Sequence, residues 1–473
     1  MRRRDFLSAS LFGAGALACL PALRRRAHAA PGPSARADRV LILNLTGGIR
    51  SSAAVHASAD VAYNPWGLMA GVSSPFALGA ILDDGGAPAS YTLGPAWGGA
   101  MVPSLRDSAG AFSVLGTYAM TRGDHLRARI EEPTGSASGG DPGILTRIGA
   151  GLAAAQTPTG APAFHVAPAA RFGAGLGPLS TFVPVSLASA ASVPSSSSVL
   201  PQWVSDTGNG FATDDAMRDR LDLPALADRH AVGRLVTETL AFHRRAARDI
   251  GARLAEDDFA LATAAQDAAT LGEVTLGGVG TPLSNGMLKE LFALGAPPQY
   301  QGFGRNLALA VRMLQIGSPA IVVETPTFDF HSGERVSGPP LYGYLGRTWA
   351  ALRWLLASIP SGGGTLLDRT LVVTMSDFGR DKGGPTGYNG GEGTDHGADH
   401  GCYYLAHAVM GAGTTPGRLV GPVDTATYDA RAEAIRYSPP QLLATLLDAL
   451  GLDAADDAYG LPTSGGPIQE LWS

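Results

Sequence analysis

"AIVVETPTFDFH" (320–331) and "TLVVTMSDFGR" (370–380) decide the fold. Each begins as a short apolar run rich in β-branched residues and breaks into a polar turn that carries acid or imidazole. Between them lies "YGYLGRTWAALRWLLASI" (342–359), whose apolar spacing predicts an amphipathic helix. Strand, helix and strand at this length imply a parallel crossover. Two further runs behave alike: "RVLILNL" (39–45) before "TGG", and "FSVLG" (112–116) before "TYAMTRGDH". Being continuous rather than alternating, all four suit strands covered on both faces. The expected architecture is α/β, a doubly wound, mostly parallel central sheet flanked by helices.

Ligands of open α/β sheets bind beyond the carboxyl ends of the strands. Three of the four runs deliver chemistry to that edge. Asp124 and His125 follow the second, Asp329 and His331 the third, and Asp377 the fourth. Asp329 and His331 point to one side if their stretch is extended. Further on, "GTDHGADHG" (393–401) offers two more imidazoles, His396 and His400, in a glycine-rich loop. Aspartate and histidine with few cysteines suit a divalent cation such as Zn²⁺, Mn²⁺ or Mg²⁺. Such an ion polarises an ester bond and lowers the pKa of water or a hydroxyl.

Other chemistries lack their motifs. There is no GxSxG elbow, HExxH helix or P-loop. "GFGRNLA" (302–308) lacks the third glycine of a dinucleotide fingerprint and reads as the start of a helix, "RNLALAVRMLQIG". "SPPQLLATLLDALGL" (438–452) reads as a packing helix with prolines in its first turn.

The ends and middle of the chain carry different signals. "RRRDFL" (2–7) before an apolar run, then "AHA" (27–29), reads as a twin-arginine signal peptide spanning 1–29, with export to the periplasm or beyond. The apolar run is too short to span a bilayer, so no membrane span is expected after cleavage. That segment holds six Arg and one Asp, so removing it takes the net charge from −6 to about −11. An acidic chain without a basic run has no footprint for nucleic acid. Cys402 is then the only cysteine, which excludes an intramolecular disulfide and suits a route that exports folded proteins. Residues 38–473 read as one domain, with 177–295 a largely helical insertion or cap that opens on a Pro- and Ser-rich stretch.

In order, "LTGG", "TRGDH", "FDFH", "SDFGR" and "GADHG…GAGTTPGRLVG" resemble the exported bacterial proteins grouped as domain of unknown function family 1501, relatives of the alkaline phosphatase and sulfatase superfamily. The resemblance spans nearly the whole mature chain and implies an alkaline-phosphatase-like fold with a metal site. It implies that Asp329, His331 and a histidine of 393–401 hold one ion, with Asp377 in a second site. Family spacing selects His400 as the ligand and leaves His396 as a substrate contact or a residue that supports a ligand from behind. The usual His beside the second-site Asp is Phe378 here. Superfamily enzymes also place an acid at or just after the first strand, whereas "LNLTGGIRSSAAVH" has none, so one ion is expected rather than two. The nucleophile expected nearby falls to Thr46, Ser51 or Ser52, with Ser51 and Thr46 preferred. Arg50, His125 and Arg380 are candidates to bind the substrate anion. Formylglycine-type sulfatase chemistry lacks its Cys/Ser-x-Pro-x-Arg motif. The expected activity is metal-dependent hydrolysis of a phosphate or sulfate ester, on a small anionic molecule or a polymer. The rival expectation is a catalytically inactive relative that binds a ligand or partner at the cell envelope.

Overall fold

The apolar runs become strands because they can bury both faces. The computed structural model describes residues 35–51, 112–118, 124–136, 141–154, 164–166, 170–173, 185–187, 292, 300–315, 318–325, 327–361, 363–380, 405–421, 423–424, 429–430, 436–453 and 466–473. In chain order the first elements are β1 (Arg39–Leu45), β2 (Ser113–Tyr118), α1 (His125–Thr134), α2 (Ile144–Ala154), β3 (Phe164–Val166) and β4 (Val185–Leu187). Next come α3 (Gln301–Gln315), β5 (Ala320–Glu324), α4 (Glu334–Ser358), β6 (Pro360–Ser361), β7 (Gly364–Thr365) and β8 (Thr370–Ser376). The last are β9 (Leu405–Met410), β10 (Leu419–Val420), β11 (Val423–Asp424), β12 (Asp429–Ala430) and α5 (Pro439–Ala449).

Eight strands form one sheet in the order β10-β2-β9-β8-β1-β5-β3-β4. β1 lies between β8 and β5, parallel to both, with Leu45 opposite Ser376 and Asn44 opposite Glu324. The chain therefore passes from β5 through α4 to β8 across β1, the expected parallel crossover. β9 runs antiparallel to both β8 and β2, so the sheet is mixed. Every residue of β8 and β9 is buried, and Val40 to Leu43 of β1 are fully enclosed. Each such aliphatic side chain contributes about 1.5–3 kcal/mol on burial. α3 packs on β5 and β3, so the class is α/β, a mixed sheet flanked by helices.

α4 begins at Glu334, ahead of the expected Tyr342. Its first turns read "ERVSGPP", a loop by local propensity. Tertiary contacts override that reading, since Glu334 forms a buried ion pair with Arg50. α5 conforms closely: Ser438 and Gln441 make a capping box, and its prolines occupy the first turn.

The expected signal segment 1–29 lies outside the described residues, as does 177–295 apart from β4 and Phe292. Among the described residues no helix is long and apolar enough to cross a membrane.

Candidate functional site

β1, β5 and β8 end together, and backbone hydrogen bonds continue past the strands to lock their loops. Phe328 N–H donates to Thr46 O (2.7 Å), and Thr325 N–H to Asn44 O (2.9 Å). On the other side Ile49 N–H donates to Phe378 O and Arg380 N–H to Ile49 O, each 3.0 Å. Gly47 and Gly48 make this closeness possible. Both have positive φ (94° and 80°), and a Cβ on Gly47 would stand 2.8 Å from the Asp329 backbone nitrogen. A Cβ on Gly48 would stand 2.5 Å from the Phe378 ring.

Along 327–331 burial alternates: Phe328 and Phe330 are buried, while Asp329 is exposed and His331 half-buried. The extended period expected from the sequence thus puts Asp329 and His331 on one side, with His331 Nε2 3.0 Å from Asp329 Oδ1. His125 arrives from α1. Asp124 caps that helix by accepting from the Leu126 and Arg127 N–H groups (3.0 and 3.2 Å), which fixes His125 as its first residue. His125 Nε2 lies 3.3 Å from the same Asp329 oxygen. His125, Asp329 and His331 thus offer three ligand atoms within 4.8 Å of one another, a group able to hold a metal ion.

Behind His125 sits Asp377, fully buried. Its Oδ2 meets His125 Nδ1 at 2.9 Å and accepts from Arg129 Nε at 3.0 Å. A carboxylate on one imidazole nitrogen fixes the tautomer and frees the other as ligand. The Phe378 ring packs against the His125 ring, centroids 4.7 Å apart. The arrangement is a supported histidine rather than a loose one.

Two arginines turn inward. Arg380, its side chain fully buried, donates to Gly47 O, Gly48 O and Asp329 Oδ1. Partial burial pushes the Asp329 carboxyl up, but Arg380's hydrogen bond and charge, with His125 and His331, outweigh it and hold the group below its usual value. Arg50 is gripped by Glu334 through Nε–Oε1 (3.0 Å) and Nη2–Oε2 (2.8 Å), and its N–H donates to Tyr342 Oη (2.9 Å). That ion pair offsets its charge inside the protein.

The structure sorts the sequence candidates accordingly. Asp329 and His331 stand side by side, while Asp377, read as a ligand of a second metal site, lies outside the three-residue group and contacts His125 and Arg129. His125, read as an anion contact, lies among the possible metal ligands, and Asp377 stands behind it. Arg50 and Arg380, read as anion contacts, are buried in internal bonds. Ser51 is buried, and its Oγ accepts from the Ala406 N–H (2.9 Å), tying the loop after β1 to β9. Thr46 donates its hydroxyl to Thr325 O (3.2 Å). His396, His400 and Ser52 lie outside the described residues.

Sequence reasoning missed Arg129 and Glu132. Both lie on α1 beyond the motif "TRGDH", and helical spacing from His125 was the signal that pointed to Arg129. Glu132 is buried, and burial pushes its carboxyl well up, helped by the charges of Asp377 and Glu324 and opposed by Arg129.

The family described as "Protein of unknown function (DUF1501)" matches residues 38–464. The chain belongs to that family. The match covers the run of motifs from "LTGG" to "GAGTTPGRLVG". No curated protein and no solved structure matches the chain.

Proposed function

We propose that this member of the family is an exported, metal-dependent hydrolase of phosphate or sulfate esters, built on a doubly wound sheet of alkaline-phosphatase type. The observation that carries the reading is the convergence of His125, Asp329 and His331 at the carboxyl edge of the sheet, with Asp377 behind the first. Two imidazoles and a carboxylate fit Zn²⁺, and Mn²⁺ or Mg²⁺ less closely. The buried carboxylate on His125 Nδ1 is the outer partner that a metal-binding histidine needs. His400 remains the candidate for a further ligand and His396 for a substrate contact. One ion suffices for the residues that meet here.

A bound cation would supply Lewis acidity and lower the pKa of a water molecule. The chain's own residues do the rest. Asp377 holds the proton of His125 on Nδ1, so that Nε2 faces the ligand side. Arg380 balances the charge of Asp329 and ties it to the loop after β1, the same Nη2 donating to Asp329 Oδ1 and to the Gly47 carbonyl. Ser51's buried bond to Ala406 turns it from nucleophile to strut, leaving Thr46 or water for the attack. The same observation favours the second reading, an envelope protein that keeps the metal and binds a ligand without turnover.

Metal analysis of the purified mature protein comes first, with about one divalent ion per chain expected. Asp329→Ala and His331→Ala should lose it. A panel of phosphate monoesters, diesters and sulfate esters then separates the two readings. Turnover lost in both variants supports the hydrolase, metal without turnover supports the binding protein, and metal unaffected by both changes refutes the site.

A further inference from the structure

We propose that Arg129 is the residue that grips the tetrahedral oxyanion, phosphate or sulfate, at this site. The inference rests on the ester reading above and names the group that would recognise the substrate's charge. Arg129 lies one turn after His125 on α1, and residues at this spacing share a helix face. Both reach the same atom, Asp377 Oδ2, Arg129 through Nε at 3.0 Å and His125 through Nδ1 at 2.9 Å. The guanidinium is thereby anchored by one edge beside a possible metal ligand.

Its other edge is what matters. The Arg129 side chain is 50% exposed, whereas those of Arg380 and Arg50 are 0% and 3% exposed. The Nη hydrogens of Arg129 make no hydrogen bond among the described residues, although its charge is felt by the buried Glu132. Arg127, though half exposed as well, is off this face and pairs with Asp124 at 3.5 Å. A guanidinium presents its donors as a planar fork that matches two oxygens of a phosphate or sulfate. Anchoring by Nε leaves that fork pre-oriented, which lowers the ordering cost of binding.

Asp377 serves two masters in this arrangement. It orients the imidazole that could hold the cation and the guanidinium that would hold the anion, so one buried carboxylate sets their spacing. Its Oδ1 is buried with no hydrogen-bond partner among the described residues, so Oδ2 carries both contacts.

The test measures binding of inorganic phosphate and of sulfate by calorimetry on the full mature protein, with metal content read on the same samples. Arg129→Ala should weaken the preferred anion by about 10- to 100-fold while metal content stays at the wild-type level. Arg129→Lys should recover part of the loss, because charge returns without the fork. Asp377→Asn should lower both metal and anion affinity. Wild-type affinity in Arg129→Ala would overturn the proposal, leaving the residue a screen for Asp377. Failure of the wild-type protein to bind either anion overturns it also. Metal content decides the cation reading separately: anion binding lost in Arg129→Ala from a metal-free wild type supports the grip and refutes the metal.

Discussion

At the residue scale, Gly47 carries more of the site than any charged group reveals. Its φ of 94° disfavours every side chain, and the space above it is filled by Thr327 and the Asp329 backbone. Gly47→Ala should cost at least about 1–2 kcal/mol from the left-handed backbone alone. The added methyl must also displace the loop that carries Asp329 and His331, so on the metal reading proposed above metal affinity should fall with stability. Thermal unfolding and metal titration of the variant check both, and a variant that melts lower yet binds metal as wild type would separate the turn from the site. The sequence makes "TGG" visible as a turn but hides what it approaches. The same limit explains the arginines. Arg50 and Arg380 show a charge in sequence, yet their partners Glu334 and Asp329 are 284 and 51 residues away. Asp329, His331 and Asp377 were legible because they stand where strands end, and strand ends can be read locally.

At the element scale, α1 is the piece that turns two separate motifs into one cluster. Asp124 accepts two backbone hydrogen bonds at its start, and Gly135, in the left-handed region, closes its end. Asp124→Ala should cost about 1 kcal/mol and loosen the turn that begins with His125; on the metal reading proposed above it also lowers metal affinity, although Asp124 is not one of the three candidate ligands. Asp124→Asn should restore both, since asparagine caps equally well; failure of that rescue would point to the carboxylate charge instead. The second joint is the Arg50–Glu334 pair, which ties the loop after β1 to the start of α4. Glu334→Ala leaves a buried guanidinium unmatched and should cost about 3–5 kcal/mol, read from urea unfolding. β1, β5 and β8 were legible in the sequence because their apolar runs are continuous and bounded by glycine-rich turns. β9 was not. "LAHAVM" is short, follows a glycine-rich loop, and places His407 at its centre, where a polar residue argues against a buried strand.

At the scale of the whole molecule, that histidine and Glu132 set opposite limits on stability. His407 is buried in the middle of the sheet, and burial pushes it down to about 3, with a backbone hydrogen bond at Thr374 opposing only in part. It is neutral in the fold, while the unfolded chain takes up a proton below about pH 6.5. Its contribution is therefore fully present above that value and lost as pH falls towards 3, at up to about 1.4 kcal/mol per pH unit. Glu132 acts in the other sense. Its carboxyl stays protonated in the fold above the pH at which the unfolded chain ionises, near 4.5, so stability is lost as pH rises beyond that value towards its raised pKa. Urea unfolding across pH 4 to 9 should thus give a dome whose two limbs belong to different residues. His407→Gln should flatten the acid limb and leave the alkaline one. Glu132→Gln keeps the shape of the protonated acid without its charge, so it should flatten the alkaline limb and stabilise the protein at pH 8 more than at pH 5. An alkaline limb that survives Glu132→Gln would assign the loss to another group and place a charged carboxylate beside Asp377.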